Sequence, residues 1–344
     1  MKKNYWKTLG VNVPYHVYEE VVRIADSLGV TPSTLLREML PMVLSEARAR
    51  MLCPRLFLAG ADTALETAVA SGIRPLNWLL SAGRYYEGGR FIMSDDFKLA
   101  RSLGGLLFLD SGAQQFYMDF NGFDYPYTEK DYLEFALKAG VDYIATLDLP
   151  LDILHPRGLP ISEGIRRTVE HGVELIALAE DLGVVDKVVP VLQGFDDPTQ
   201  WLESLDLYKS HGVTPGKFKY WGVGSICMMR SPPLVHKILS AIRQALPDAR
   251  LHVFGISMNS LKMVFHIINS YDTSVWVYHA KVNGRVLIWD PVKKSFMRFK
   301  ADKRYDTKRL MHANLLEILK MHQDLCENLI NKRNNGNDFD VNSY

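Results

Sequence analysis

Asp110, Asp148 and Asp272 each stand at or near the end of a short apolar run, in "LLFLDSG", "YIATLDLP" and "SYDTSVW", and Gln193 closes a fourth, "VVPVLQG". Carboxylates gathered at one place take different pKa values, so that one can hold a proton while another stays ionised, which is the equipment of acid–base or nucleophilic chemistry. Asp and Gly also occur at such positions simply as helix caps and turn formers, and "DLPLD" could be only a proline-bearing turn. One acid alone is ambiguous. Their joint placement is what points to a site.

Placement depends on the elements. Apolar runs that stop at Gly, Ser, Asp or Pro fall at 55–60, 77–83, 106–112, 143–150, 188–194, 220–225, 251–257 and 271–276. Between and after them, helical periodicity covers 62–72, 95–103, 128–139, 162–182, 198–211, 231–246, 258–269 and 306–333. Runs this dense read as strands covered on both faces, as in parallel sheets. Eight such units predict an α/β chain folded as a (β/α)8 TIM barrel, whose active site forms at the C-terminal ends of the strands. Those ends carry Ser81, Asp110, Asp148, Gln193, Gly224, Gly255 and Asp272. A doubly wound open sheet is the competing fold, but no G-x-G-x-x-G follows the first run and no G-x-x-x-x-G-K-[ST] occurs.

With 344 residues, 47% of them hydrophobic, the chain can bury a large core. Its formal charge of +1 excludes a global field that would draw it to nucleic acid or membrane, so local patches must do so. No apolar run reaches the ~20 residues of a membrane span, and "MKKNYWKTLGVNV" lacks a signal-peptide core, so a cytoplasmic location and no membrane partner are expected. Cys53, Cys227 and Cys326 are far apart in sequence, and the expectation is buried free thiols. Residues 281–309 carry Lys281, Arg285, Lys293, Lys294, Arg298, Lys300, Lys303, Arg304, Lys308 and Arg309 against Asp290, Asp302 and Asp306. This basic run follows the eighth strand and suits nucleic acid, although such a run is also an ordinary solvated face.

The expected division is residues 1–50, the barrel over 51–333, and a disordered tail over 334–344, "NNGNDFDVNSY". In the first segment "WKTLGVNVP" alternates as a strand, Pro14 opens a helix with Val17, Val21, Val22, Ala25 and Leu28 on one face, and Gly29 ends it. Thr31 caps a second helix with Pro32 at its first position. This order resembles a ribbon-helix-helix DNA-binding module, a dimeric fold whose ribbon enters the major groove, with Lys7 and Asn12 on the strand. The other reading is a helical extension of the barrel. Eight Lys and Arg against five acids over 1–55 fit phosphate contact.

The strand ends also resemble a family. "LDSGAQQF" is similar to the D-S-G-G-F-Q signature of tRNA-guanine transglycosylases, with Ala113 and Gln114 replacing Gly and Phe; "TLDLPLD" is similar to F-D-E-x-x-P, and "VLQG" to V-Q-G. "WGVGS" resembles V-G-G-L, "HVFGIS" resembles Y-L-M-G-V-G, "SYDTSVW" resembles M-F-D-C-V, and "RLMHANLLEILKMHQDL" resembles the closing helices. The motifs come in the family's order, from about residue 55 to 330. Its zinc motif, C-x-C-x-x-C with a distant His, is missing, so no metal is expected. In its place "VYHAKVNGRVLIWDP" reads as a β-hairpin turning at Asn283-Gly284, and no further RNA-binding module is expected. These departures resemble the DpdA-type branch, which exchanges guanine in DNA for 7-deazaguanine derivatives.

The resemblance implies a role for each residue. Asp272 would be the nucleophile at the anomeric carbon, and Asp110 would shuttle a proton between leaving and entering bases. Asp148, Gln193, Gly224 and Ser225 would hold the purine, with Ser81, Ser111 and Gly255 beside it and Phe254 or Tyr117 stacking on it. Lys281, Arg285, Lys293, Lys294 and Lys7 would hold double-stranded DNA, from which the target must be extruded. A 7-deazaguanine base is the cosubstrate, no cofactor is implied, and a homodimer through the N-terminal segment is expected. Three alternatives stay open: a tRNA-guanine transglycosylase of the queuosine or archaeosine type, a DNA-binding regulator with a degenerate barrel, and a glycosidase using Asp110 and Asp272 as its pair.

Overall fold

A computed structural model describes residues 15–40, 53–113, 115–116, 124–218, 220–301 and 306–334. The chain divides into two compact units, Met1–Leu52 and Cys53–Tyr344. In the first, helix Tyr15–Ser27 and a helix over 32–40 flank a turn at Gly29, whose φ of 67° is the left-handed conformation glycine adopts without strain. The Thr31 hydroxyl accepts the Thr34 N–H at 3.2 Å, the expected cap. Ala25 and Leu35 are buried, but Val17 and Leu28, expected on the covered face, are 36% and 62% exposed. The ribbon expected before Pro14, Lys7 and Asn12 included, lies outside the described residues, as does the tail beyond Asn334.

In the second unit the alternation of apolar runs and helices becomes a parallel barrel. Its strands are β1 (Arg55–Ala59), β2 (Leu76–Ser81), β3 (Gly104–Asp110), β4 (Tyr143–Ala145), β5 (Val188–Val189 and Val191–Leu192), β6 (Tyr220–Val223), β7 (Arg250–Val253) and β8 (Ser270–Thr273). β1 lies between β2 and β8, and β5 closes the ring, its first stretch pairing with β4 and its second with β6. Pro190 interrupts β5 because it has no N–H for the ladder. Its carbonyl still accepts the Gly222 N–H at 2.8 Å, and the Thr146 hydroxyl accepts the Val191 N–H at 3.0 Å, which carries the strand across the break.

A strand's period of two sorts the side chains. Leu58, Trp78, Leu107, Leu109, Ile144, Leu192, Trp221, Val253 and Tyr271 face outward into the main core beneath the helices. Phe57, Leu79, Phe108, Ala145, Val189 and Val191 fill the barrel's interior, with Phe254 packed on them. Phe108 is central there, its ring 5.7 Å from Phe57, 4.7 Å from His252 and 5.5 Å from Phe254. Two residues beyond Phe108 the same face presents Asp110, and two beyond the interior Ser270 it presents Asp272. The acids therefore continue an aromatic plug up to its open end.

Three expectations are corrected. The eighth strand ends at Thr273, and Val275–Lys281 is a helix because Trp276, His279 and Ala280, three and four residues apart, bury one helical face. The hairpin accordingly shifts: β9 (Arg285–Asp290) pairs antiparallel with β10 (Ser295–Lys300), and Asn283-Gly284 joins the short helix to β9 instead of turning a hairpin. Buried Asn314 of the C-terminal helix Thr307–Asn334 locks this region, accepting the Leu287 N–H at 2.8 Å and donating to the Trp276 and Arg285 carbonyls. Lastly, Cys53 and Cys326 are not separate thiols but a disulfide pair with Cα atoms 5.4 Å apart; free Cys227 is exposed. Among the described residues no helix is long and apolar enough to cross a membrane.

Candidate active site

The C-terminal ends of the strands surround an open cleft of about 130 Å³. Asp110, Ser111, Asp148, Gln193, Gly224, Ser225, Phe254, Gly255 and Asp272 all line it. The sequence reading had named every one. Ser81 does not line the cleft; its hydroxyl donates to Asp110 Oδ1 at 2.9 Å. Tyr117, the other stacking candidate, lies outside the described residues.

Asp110 ends β3 and accepts the Gly112 N–H at 2.6 Å besides the Ser81 hydroxyl. Gly112 is required here by close approach: a Cβ on it would come within 2.2 Å of the Gly83 backbone nitrogen, at a φ of 79°. Burial pushes the Asp110 carboxyl up to about 7 against the pull of these two hydrogen bonds, and the Asp148 and Asp272 charges add to the rise. Near neutral pH it is poised to give or take a proton.

Asp272 continues β8 and accepts the Gly255 N–H at Oδ1, 2.8 Å away. Below it, buried His252 places Nε2 3.5 Å from the same oxygen, while its Nδ1 meets the Ser270 hydroxyl at 2.9 Å and Ser270 meets Tyr220. Burial lowers the His252 pKa, with Asp272 opposing, so the imidazole favours its neutral form. This chain of polar groups lies inside the barrel beneath the carboxylate, with buried His252 Nε2 facing it and making no hydrogen bond. His252 had been read as part of an apolar strand body; its place two residues before Phe254 on the inward face is the signal that was available.

Asp148, Gln193 and Ser225 form one network. The Ser111 hydroxyl donates to Asp148 Oδ1 at 2.6 Å, Gln193 Nε2 donates to Oδ2, and the Ser225 hydroxyl donates to Gln193 Oε1 while accepting the Leu151 N–H at 2.8 Å. Tyr125 fixes the loop, donating to the Asp148 carbonyl at 2.7 Å and accepting the Asp148 N–H at 3.1 Å. Burial raises Asp148 to about 6, with Ser111 and Gln193 holding it down. Gly224 leaves room for the glutamine, since a Cβ there would come within 2.2 Å of Gln193 Nε2. Ser225 takes a φ of 57°, and it aligns with the second glycine of the V-G-G-L motif that "WGVGS" resembles.

Two further titratable residues of the lining were missed, Asp152 and Cys227. Asp152 Oδ2 accepts the Met228 N–H at 3.1 Å, whereas buried Oδ1 has no partner, and burial raises the pKa. Its signal was the second acid of "DLPLD", read only as part of a turn. Among the basic residues, Lys281, Arg285, Lys293 and Arg298 are exposed, and Arg298 lines a second cleft with Ser257, Met258 and Asn259, which follow β7 on the side of the barrel where the site opens.

No curated protein matches the chain. Residues 129–300, half of its length, match the family described as DpdA, DeoxyPurine in DNA protein A, and the matched span holds Asp148, Gln193, Gly224, Ser225, Phe254, Gly255 and Asp272. The chain therefore belongs to the DpdA family.

Proposed function

We propose that the chain is a DNA-guanine transglycosylase that exchanges guanine for a 7-deazaguanine base through a covalent aspartyl-glycosyl intermediate. The observation that carries this reading is the cleft itself, where one carboxyl poised near neutrality and a second carboxylate share a wall with a buried amide network, in a chain of the DpdA family. Asp272 attacks C1′ as the C1′–N9 bond breaks, and Asp110 gives its proton to the departing guanine. The entering base then returns a proton from N9–H to Asp110, N9 attacks C1′, and the Asp272 ester bond breaks. Two inversions retain the anomeric configuration, and no proton is consumed.

Asp148 accepts from the purine's N–H donors, Gln193 and Ser225 hold that acid in place, and Phe254 stacks on the ring. Lys281, Arg285, Lys293, Lys294 and Arg298 hold the phosphates of a duplex whose target nucleotide is extruded, and the N-terminal segment adds DNA contacts and a second copy. The test is transfer of labelled guanine or 7-cyano-7-deazaguanine into duplex DNA and, in parallel, into bulk tRNA. Label in DNA supports the reading. Label in tRNA alone, or in neither, overturns it.

Two variants probe the pocket. Gly224→Ala drives a methyl into the Gln193 amide and is expected to lower exchange about 100-fold, the scale of an ångström's misplacement, with an unchanged circular dichroism spectrum. Asp152 lines the cleft, where its carboxylate can accept from a donor on the base. Asp152→Asn is expected to raise KM for the base roughly 10-fold with kcat nearly unchanged, the signature of lost uniform binding; a fall in kcat alone would remove Asp152 from base recognition.

A further inference from the structure

At the opposite end of the barrel from the cleft, three side chains with metal-binding chemistry converge. Cys53 lies two residues before β1, while His322 and Cys326 lie four residues apart on the C-terminal helix and so share one face. One ligand atom from each can be chosen so that all lie within 4.8 Å of one another. His322 Nε2 faces Cys326 Sγ at 3.7 Å, and Nδ1 meets the hydroxyl of Tyr271 at 3.0 Å. Phe265 and Tyr271 flank the imidazole, with ring centroids 6.0 and 5.9 Å away.

We propose that Cys53, His322 and Cys326 form a binding site for one zinc-class divalent cation, of which the disulfide is the oxidised, metal-free form. A structural disulfide makes no use of an imidazole directed at its sulfur. A metal site does, and it also needs what Tyr271 supplies, a partner on the second ring nitrogen that fixes the tautomer and the orientation of the ring. Two thiolates cancel the charge of a divalent cation, so a half-buried site ends electrically neutral, and two sulfurs with one nitrogen suit zinc, leaving the fourth tetrahedral position to solvent. Loading begins with reduction: a thiol or phosphine reductant supplies two electrons, the S–S bond breaks, and two protons give two thiols. The cation then displaces those protons. None of these cysteines belongs to a C-x-C-x-x-C motif, which the chain lacks. Tyr271 immediately precedes Asp272 on β8, so the site braces, from outside the barrel, the strand that leads into the cleft.

The experiment uses the full chain, reduced with a phosphine under anaerobic conditions and titrated with Co²⁺, then with Zn²⁺. The expected result is one Co²⁺ per chain, with thiolate-to-cobalt charge-transfer absorption and tetrahedral d–d bands that Zn²⁺ abolishes. Both signals are lost in Cys326→Ser, and His322→Ala and Tyr271→Phe bind at least 10-fold more weakly. A reduced chain that takes no metal overturns the proposal, as does binding that is unchanged in Cys326→Ser and His322→Ala. Should the serine variant fail to fold, alkylation of the wild type decides the matter. Zinc is expected to protect Cys53 and Cys326 while Cys227 reacts, and equal modification of all three with zinc present overturns the site.

Discussion

Asp272→Asn is expected to lose base exchange by roughly 10⁴-fold or more, the scale on which removing a covalent nucleophile acts, while its fold and DNA binding persist. The substitution is nearly isosteric, and Oδ1 can still accept the Gly255 N–H that holds it, so structure and chemistry separate cleanly. Wild-type protein incubated with DNA in the absence of an entering base should give a covalent protein–DNA species on a denaturing gel, and the asparagine variant should give none. If the adduct survives, the nucleophile is another residue, and the assignment of the acid in "SYDTSVW" fails with it.

The second large effect belongs to Asp110. Asp110→Asn is expected to slow both guanine release and base entry by roughly 10²–10⁴-fold, the usual share of a general acid–base. In the wild type, adduct formation should fall as pH rises through about 7, because burial keeps Asp110 protonated below that value and the proton is gone above it. The asparagine variant should show a flat, low profile, and a wild-type profile without that alkaline fall would exclude Asp110 as the acid. Stability follows the same sign. The folded-state pKa of about 7 lies above the ordinary 3.8, so between those values the folded chain holds a proton that the unfolded chain has lost, and stability declines as pH rises across that window. Asparagine removes the decline, worth on the order of a few kcal/mol at pH 8.

Much of this site was legible because a strand's period is short and its end abrupt. Asp110, Asp148, Gln193 and Asp272 follow dense apolar runs closely enough that the sequence places them at a strand's mouth, whatever the tertiary contacts prove to be. The helix over Val275–Lys281 escaped for the opposite reason: seven residues rich in Val and Tyr carry a strand's propensities, and it is the burial of Trp276, His279 and Ala280 together that settles the conformation. His252 and Asp152 escaped because nothing in a linear pattern says which polar residue will be enclosed. Cys53 and Cys326 are 273 residues apart, a separation at which spacing carries no information and only closure of the barrel brings them together.

The aromatic filling of the barrel has a kinetic consequence. Phe57, Phe108 and Phe254 with His252 seal the cleft from below, so the pocket is a cul-de-sac that opens only at the C-terminal ends of the strands. A base that leaves must go out by the door through which its successor comes in. In the proposed exchange the two could not pass each other, and turnover would run in strict alternation, with the sugar held on Asp272 while the room is empty.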